Sequence, residues 1–229
     1  MITFLGLVVP CEDMTPAAFY DHWINRHGPL VTATKAVARH MRRYVQYHAI
    51  RPAGRYFGIG EVWFDTPQGA DRAFAEADYH SIIRPDEQRF SWLEKCQFVT
   101  MEDDVPPETC VSDGSLVLFR FLRPRNGIDR TVFEARLEEG ASRQRSVLAA
   151  QGLEGYRCWP ALLGSEDPMR TGTANTLNYH AVEMLWTSSG AAGGAIEMIE
   201  AAGRALRDAQ TDLIDEPLDM IATAHVMLG

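Results

Sequence analysis

The sequence is poor in positive charge and especially poor in lysine. Its 229 residues carry 22 Lys plus Arg against 31 Asp plus Glu, a formal net charge of −9, and its only lysines are Lys35 and Lys95. Phosphate backbones and anionic lipid surfaces repel such an acidic chain. No basic run interleaved with aromatic residues offers a base-stacking surface. We therefore expect neither nucleic acid nor a membrane among its partners.

Cysteine and long apolar runs are also scarce. Cys11, Cys96, Cys110 and Cys158 form no C-x-x-C pair, so nothing supports a zinc knuckle or a redox dithiol. No apolar run reaches the roughly 18 residues of a membrane span. The apolar start at residues 1–10 lacks the basic segment and cleavage site of a secretory signal. We expect a cytoplasmic protein with free thiols and no metal.

Common cofactor and hydrolase motifs are missing as well. The sequence contains no G-x-G-x-x-G, no G-x-x-x-x-G-K-[ST] and no G-x-S-x-G, which argues against a nucleotide cofactor and a nucleophilic serine elbow. Gly190–Gly194 precedes a predicted helix but lacks the lysine of a phosphate loop, and we interpret it as a flexible loop. No cofactor is expected.

The composition is that of a globular protein, and the order of predicted strands and helices occurs twice along the chain. Hydrophobic residues make up 46% and charged residues 23%, which are ordinary globular values. The length corresponds to about 1.5 average domains. The halves on either side of Gly114 match in length, charge and order of predicted elements, which indicates an internal repeat.

The first half predicts the order βαββαβ. The apolar run Thr3–Val9 is typical of a strand, and Thr15 followed by Pro16 is typical of a helix start. The later predicted elements are strands at Arg43–Ile50 and Tyr56–Phe64, a helix capped by Asp65-Thr66-Pro67 and running to about Asp78, a short helical piece from Pro85, and a strand at Lys95–Met101.

The second half repeats this order. Its predicted elements are a strand at Leu116–Leu122, a helix at Asp129–Ala150, strands at Leu153–Trp159 and Leu177–Trp186, a helix at Ala195–Thr211 and a strand at Met220–Met227. The clearest internal match pairs Glu61–Thr66 with Glu183–Ser188, because each is a strand that ends in an aromatic residue and precedes a helix cap.

These patterns predict an α+β fold made of two ferredoxin-like βαββαβ repeats. Each repeat has helices on one face of its antiparallel sheet, so the other face needs a cover. Two such sheets in one chain can pack into a single barrel of the dimeric α+β type. The predicted divisions are a repeat at 1–105, a polar, proline-containing linker at 106–114 and a second repeat at 115–229.

Three motifs in the first half resemble the EthD family of dimeric α+β barrel proteins. They are the W-x-x-x-H-G-P-L run Trp23–Leu30, the strand Glu61–Asp65 and the segment Pro85–Phe90. The resemblance covers roughly residues 1–105. The second half shares the architecture without the motif, since its first helix reads Phe133–Leu137, and it resembles a degenerate EthD repeat.

The resemblance implies a cofactor-free protein acting on small aromatic or polyketide-like molecules. Such barrels include cyclases, lactone isomerases, decarboxylases, dehydratases and monooxygenases, and fold alone is a weak guide to the reaction. Haem-binding barrels of similar tandem layout use an axial histidine from a helix. The predicted helices at Asp129–Ala150 and Ala195–Thr211 contain no histidine, which argues against haem.

Strand parity predicts which side chains point into the barrel. Tyr44, Gln46 and His48 share one face of their strand, and Glu61 and Trp63 share one face of the next. We expect the side of the sheet that faces the helices to be apolar, and we place Val45, Tyr47, Val62 and Phe64 on it. We therefore expect a polar group of Gln46, His48, Glu61 and Trp63 inside an apolar cavity.

Two histidines outside the strands are expected to join this pocket. His27 follows Trp23 by one helical turn, at a break made by Gly28-Pro29, and His80 lies where the second helix loosens. By contrast, His22 and His27 are five residues apart, about 140° around an α-helix, which argues against a shared ligand.

The expected chemistry is proton transfer. Histidine is suited to it near neutral pH, and burial would raise the pKa of Glu61. The catalytic candidates are His27, His48, Glu61 and His80, and the substrate-binding candidates are Trp23, Tyr44, Gln46 and Trp63. Each also has a plain structural explanation, such as core packing for Trp23, a helix cap for His27 or an arginine partner for Glu61.

Two functions remain open. The favoured one is a cofactor-independent lyase, isomerase or cyclase that uses general acid–base catalysis on a small aromatic, lactone or polyketide-like substrate. The alternative is a non-catalytic binding or accessory protein in an aromatic or ether degradation pathway. A cavity within one chain is compatible with a monomer of pseudo-twofold halves, and exposed helices are compatible with a homodimer.

Overall fold

The computed structural model describes residues 1–102, 111–162, 179–188 and 194–228. The strands are β1 Ile2–Val8, β2 Met41–Ala53, β3 Tyr56–Phe64, β4 Gln97–Glu102, β5 Leu116–Leu122, β6 Gly155–Pro160, β7 Ala181–Thr187 and β8 Leu218–Leu228. The helices are α1 Pro16–His22, α2 Gly28–Ala33, α3 Lys35–Ala38, α4 Pro67–Ala75, α5 Arg84–Phe90, α6 Arg130–Ala150 and α7 Ala195–Ala209. Two π-helical turns, Trp23–His27 and Tyr79–Ile83, and a 3-10 turn at Leu93–Lys95 complete the helical elements.

The described strands form one antiparallel sheet in the order β4-β1-β3-β2-β8-β5-β7-β6. Each half contributes four neighbouring strands in the same relative order, and the β2–β8 pair joins the halves. At the other end of the sheet, the backbone N–H of Leu162 donates to the carbonyl of Thr100 over 2.8 Å. This contact brings the two outer strands together, so the sheet is a nearly closed α+β barrel, as the repeat predicted.

The interior of the barrel is filled by alternate side chains from every strand. The largest apolar cluster contains Leu5, Leu7, Val45, Tyr47, Ile59, Val99, Met101, Val117, Phe119, Phe121, Val182, Met184, Met220, Ala222 and Ala224. All of them are nearly or wholly excluded from solvent. The opposite face of each strand therefore points outward, toward the helices.

The helices begin where the sequence predicts and cover that outer face. Thr15 and Thr66 each accept a hydrogen bond from a backbone N–H three residues on, and Asp129 accepts one from Thr131. These are standard N-caps. Among the described residues, no helix is long and apolar enough to cross a membrane.

Some predicted boundaries differ from the structure. β2 runs on to Ala53, through the segment predicted as a turn, and α4 ends at Ala75. Residues 106–110 of the predicted linker, residues 177–178 of a predicted strand, most of the Gly190–Gly194 loop and Cys110 lie outside the described residues. The described cysteines, Cys11, Cys96 and Cys158, are free thiols.

The internal match of Glu61 with Glu183 is displaced by one residue. Glu61 pairs with Leu5 and Val45 and points into the barrel. Glu183 pairs with Arg120 on the outer, helix-covered face. Because side chains alternate along a strand, a shift of one residue exchanges the two faces. Glu61 and Glu183 therefore do not occupy equivalent positions in the two halves.

Candidate functional site

A cavity of about 110 Å³ lies between the outer face of the first half's sheet and its helices. The sheet forms the floor, and the π-helical turns, α2 and α5 form the roof. Its lining is aromatic and aliphatic with few polar groups. The lining residues are Phe4, Gly6, Val8, Trp23, His27, Val31, Met41, Tyr44, Gly60, Val62, Phe74, Tyr79, Ile83, Glu87, Phe90, Ser91, Leu93, Cys96 and Phe98. An apolar pocket with a few convergent polar groups is typical of a small-molecule site.

Two glycines of β3 make room for the indole that forms one wall. A Cβ on Gly58 would lie 2.5 Å from the indole of Trp23, and one on Gly60 would lie 3.8 Å from it. Trp23 consequently packs flat on the sheet, where its ring stacks on His48 with centroids 5.0 Å apart. This contact holds the π-helical turn against β2 and β3.

The π-helical turn sets the direction of the histidines that flank it. The backbone N–H of Gly28 donates to the carbonyl of Trp23 five residues earlier, so the chain is wound more widely than in an α-helix. Residues five apart then lie on one face. The predicted 140° separation of His22 and His27 is therefore wrong, because it assumed α-helical geometry.

Both imidazoles bind one carboxylate. His27 Nδ1 lies 3.0 Å from Oδ2 of Asp86, and His22 Nε2 lies 3.0 Å from Oδ1. Asp86 stands in the first turn of α5 and is buried. The hydrogen bond from His27 is the largest influence that lowers the pKa of Asp86, and burial opposes it. Asp86 is therefore a stable anion.

This arrangement leaves one nitrogen of His27 available. Within the described residues Nε2 of His27 has no hydrogen-bond partner, while the ring lines the cavity. A carboxylate that accepts from Nδ1–H fixes the tautomer in which Nε2 is an acceptor. His27 is thus oriented as a general base facing an apolar space.

The neighbouring carboxyl has the opposite environment. Burial raises the pKa of Glu87, against the opposing charges of His27 and Arg84 and the hydroxyl of Tyr79. That hydroxyl lies 3.2 Å from Oε2 of Glu87. Glu87 lines the same cavity as His27. Asp86 is thus held in its ionised form, whereas its neighbour Glu87 is shifted toward its neutral form. Two carboxyl groups with pKa values moved apart in this way can take different roles in acid–base chemistry.

Three of the predicted site residues line this cavity: Trp23, His27 and Tyr44. Gln46 lies directly behind them, since its amide donates to the hydroxyl of Tyr44 and to the carbonyl of Trp23, each over 2.9 Å. Burial raises the pKa of Tyr44, so its phenol stays neutral. Gln46 therefore braces the cavity wall.

Gln46 and His48 do not point into the barrel, which corrects the strand-face prediction. In the β2–β3 pairing Gln46 stands opposite Gly60 and His48 opposite Gly58, on the helix-covered face with Tyr44. His48 lies beneath Trp23, and its Nε2 donates to Oε1 of Gln46 over 3.1 Å. Burial, and then the charge of His225, lower the pKa of His48 to about 3.

Glu61 and Trp63 do point into the barrel, away from the cavity that holds His27. The hydroxyl of Tyr47 donates to Glu61 over 2.6 Å. Burial raises the pKa of Glu61, opposed by Tyr47, Trp63 and two arginines. The expected single pocket containing both Glu61 and His48 is therefore wrong, because the sheet separates them.

His80 is exposed on the second π-helical turn, so the expectation that it closes the pocket is also wrong. The turn buries its neighbour Tyr79 instead. Sequence reasoning missed Asp86, Glu87 and Tyr79 as site residues. The adjacent acids inside the Pro85–Phe90 motif were the available signal, since charged pairs are rarely buried without a purpose.

Within its described residues, the second half offers no helical histidine as an axial ligand for a haem. Its helices α6 and α7 contain no histidine, and the space beneath them holds a buried ion pair in which Arg120 Nη1 lies 2.5 Å from Glu183. In the first half, a cavity of about 110 Å³ is too small for a porphyrin. Within the described residues no three His, Cys, Asp or Glu side chains are grouped as a metal site.

Solved structures share this fold. A proposed monooxygenase from Fusobacterium nucleatum superposes with a TM-score of 0.60 at 5% identity, covering 98% of this chain and 93% of that one. A proposed monooxygenase from Lactobacillus acidophilus NCFM gives 0.55 at 9%, covering 98% and 94%. A mutant chlorite dismutase from Candidatus Nitrospira defluvii in complex with cyanide gives 0.53 at 9%, covering 99% and 91%. No curated protein sequence matches this one.

The family comparison agrees with the sequence motifs. The model of the EthD domain matches residues 12–93, the segment that contains the π-helical turn, the glycine-bearing strand β3 and α5. These elements build the cavity and supply both His27 and Asp86. Residues 12–93 of the chain are accordingly similar to an EthD domain.

Proposed function

We propose that the EthD-like part of the chain is a cofactor-independent enzyme that moves a proton on a small, neutral aromatic or lactone substrate. The observation that carries the proposal is His27, whose Nδ1 is held by Asp86 at 3.0 Å while its ring lines an aromatic cavity. Lyase, isomerase and cyclase reactions that pass through an enolate begin with such a proton transfer.

In this proposal His27 is the general base and Glu87 is the general acid. Nε2 of His27 takes a proton from an acidic carbon next to a carbonyl, and Asp86 stabilises the imidazolium that forms. Glu87, whose pKa is raised by burial, gives its proton to the oxygen of the enolate, so that the substrate becomes an enol. A positioned base and acid each contribute about 10²–10⁴ in rate.

The cavity favours a neutral, single-ring substrate. Among the described residues no Lys or Arg lines it, so a carboxylate or phosphate would be desolvated without compensation from them. Its volume of about 110 Å³ is of the same order as the roughly 150 Å³ apolar cavity that admits benzene. Trp23 and Tyr44 present ring surfaces on which a planar substrate can stack.

Solvent deuterium exchange tests the proposal. The protein is incubated in D₂O with a panel of phenols, unsaturated lactones and aromatic acids, and binding and C–H exchange are followed by ligand-observed NMR. We expect exchange in a bound neutral compound, lost in His27→Gln, with binding retained. The matched control is His80→Gln, because His80 is an exposed histidine outside the cavity.

The result also decides between enzyme and carrier. A compound that binds equally to the wild type and to His27→Gln, and never exchanges, supports the non-catalytic binding protein. Exchange that survives in His27→Gln removes His27 from the mechanism. Preferential binding of the aromatic acids would contradict the assignment of a neutral substrate.

A further inference from the structure

Asp86 has a second histidine partner that the proposed reaction does not use. His22 Nε2 lies 3.0 Å from Oδ1 of Asp86, on the carboxylate oxygen that His27 leaves free. His22 is the last residue of α1. Its side chain is 12% exposed against 7% for His27, so His22 stands on the solvent side of the carboxylate.

The two imidazoles are held in a fixed arrangement around Phe90. The His22 ring stacks on Phe90 with centroids 5.1 Å apart and 22° between planes, and the His27 ring packs on it at 4.9 Å. Phe90 and Asp86 are one helical turn apart on α5, so a single face of α5 carries both contacts. The π-helical turn supplies the matching spacing on the other side.

One carboxylate can compensate one imidazolium. A first proton on the pair is stabilised by Asp86, and a second is opposed by the charge already present. From α5, the charged groups that face the pair are Asp86, Glu87 and Arg89, whose Nη1 lies 3.7 Å from Asp86 Oδ1.

The other elements around the pair add little charge. Asp21 and Arg26 are the charged neighbours along the histidines' own segment, and Asp21 accepts from Asn25. From β2, the titratable group is the phenol of Tyr44, which lines the same cavity as His27. Asp86 is therefore the carboxylate that both imidazoles share.

We propose that His22 is a positioning residue of this site, which holds the outer oxygen of Asp86 so that the inner oxygen keeps His27 in its orientation. The inference rests on the proposed function of His27. His22 brings both a hydrogen bond and a basic ring to Asp86, and the proposal assigns the positioning to the hydrogen bond.

Two substitutions separate the hydrogen bond from the charge. Gln in His22→Gln can still donate to Oδ1 of Asp86 but carries no charge, whereas Leu in His22→Leu removes both the hydrogen bond and the charge. Histidine ring signals of the wild type and both variants are followed against pH by ¹⁵N NMR, without substrate. The exchange rate of a bound probe compound is then measured over the same pH range.

In His22→Leu we expect the exchange rate to fall about tenfold while the probe still binds, since a loosened carboxylate misdirects the base. His22→Gln should recover most of that loss, because its amide can donate to Oδ1 of Asp86. The ¹⁵N signals should show the proton of neutral His27 on Nδ1 in the wild type and in His22→Gln, and on both nitrogens in His22→Leu.

A rate in His22→Gln as low as in His22→Leu overturns the inference, as does a rate that is unchanged in both variants. A loss of thermal stability alone, with the rate and the ¹⁵N signals of His27 unchanged, would assign His22 a purely structural role and also overturns it. The NMR spectra need no turnover. A change in the His27 signals of His22→Leu that is absent in His22→Gln, with no exchange in any compound, would therefore contradict the proposed function and leave the positioning by His22 intact.

Discussion

His27 Nδ1 and Oδ2 of Asp86 lie 3.0 Å apart although the residues are separated by 59 positions in the chain. The contact joins the π-helical turn to α5, two elements that pack through the ring of Phe90. Neither element alone could orient the imidazole toward the cavity. The orientation of the His27 ring is therefore a product of tertiary packing between two short helical segments.

Asp86→Asn tests whether the carboxylate is needed for the base. The amide is nearly the same size, so we expect ligand binding to change little. It cannot stabilise an imidazolium and can hold the wrong tautomer of His27, so the exchange rate should fall by about 10²–10⁴. Exchange in D₂O measures the rate. A fall in affinity of the same size as the fall in rate would instead indicate a collapsed cavity.

Gly58→Ala tests whether the glycine at position 58 is needed to make room for the indole ring of Trp23. The new methyl would meet the carbonyl of Tyr47 and lie 2.5 Å from the ring of Trp23. Because a backbone carbonyl cannot give way, we expect a loss of about 1–3 kcal/mol in the free energy of unfolding, together with loss of ligand binding. Denaturant unfolding and the ligand-observed screen provide the two measurements.

Gly140→Ala is the matched control for that substitution. Gly140 lies inside α6, and the nearest atom to an added Cβ is 3.6 Å away. Alanine is the better helix former, so we expect a gain of about 0.5–1 kcal/mol. If both substitutions destabilise the protein equally, the space under Trp23 is not the reason for the glycine at position 58.

The barrel and the helix starts were accessible from sequence because they depend on short-range patterns. Alternation along strands and the caps at Thr15, Thr66 and Asp129 are local signals, and the repeated βαββαβ order gave the sheet its two matching halves. Closure followed from the need to bury the second face of each sheet. Each of these inferences holds without knowing which residue stands opposite which.

The sequence does not show which face of β2 points into the barrel, because this depends on the register in which β2 pairs with β3. Tyr44, Gln46 and His48 share one face, as alternation predicts, but Gln46 stands opposite Gly60 and not opposite the inward-pointing Glu61, so that face points toward the helices. The prediction also assumed that the helix-covered face is apolar. It contains Gln46, whose amide satisfies the carbonyl of Trp23, a polar bond that alternation alone does not reveal.

The histidine pair was missed for a similar reason. His22 and His27 were placed with α-helical spacing, and the π-helical hydrogen bond from Gly28 to Trp23 brings them to one face. Pro29 follows directly, but a proline there is equally compatible with a simple kink. Only the contact with Asp86 distinguishes the two conformations, and that residue is distant in sequence.

Glu61→Gln is expected to stabilise the protein at neutral pH. Burial raises the folded-state pKa of Glu61, so the folded protein binds a proton more tightly than the unfolded chain. Stability is then lost as pH rises from the unfolded value of about 4.3 through the folded pKa. Gln still accepts from Tyr47 and has no charge to bury, so this loss should disappear.

Chemical denaturation at several pH values measures the effect. The difference in free energy of unfolding between Glu61→Gln and the wild type should be small below pH about 4.3 and grow in favour of the variant at higher pH. Glu102→Gln is the control, because Glu102 is an exposed strand glutamate. A variant that is less stable than the wild type at neutral pH would show that the ionised carboxylate is needed inside the barrel.

The buried pair Arg120 and Glu183 should be the most sensitive electrostatic contact in the second half. Both side chains are fully excluded from solvent, and Glu183 also accepts from Tyr156 and Gln210 over 2.6 and 2.7 Å. Glu183→Gln leaves the guanidinium buried with a neutral partner, Gln210 at 2.9 Å, and with the longer 3.4 Å contact to the carboxylate of Asp219. We expect a loss of about 3–5 kcal/mol.

Two comparisons show whether charge is the cause. Asp65→Asn breaks the pair with Arg42, where both side chains are more than half exposed, and should cost about 0–1 kcal/mol. Replacing the buried pair together, Arg120→Met with Glu183→Leu, removes both charges and should recover most of the loss. If the double variant is no more stable than Glu183→Gln, the hydrogen bonds to Tyr156 and Gln210 hold this layer together, and the ion pair adds little.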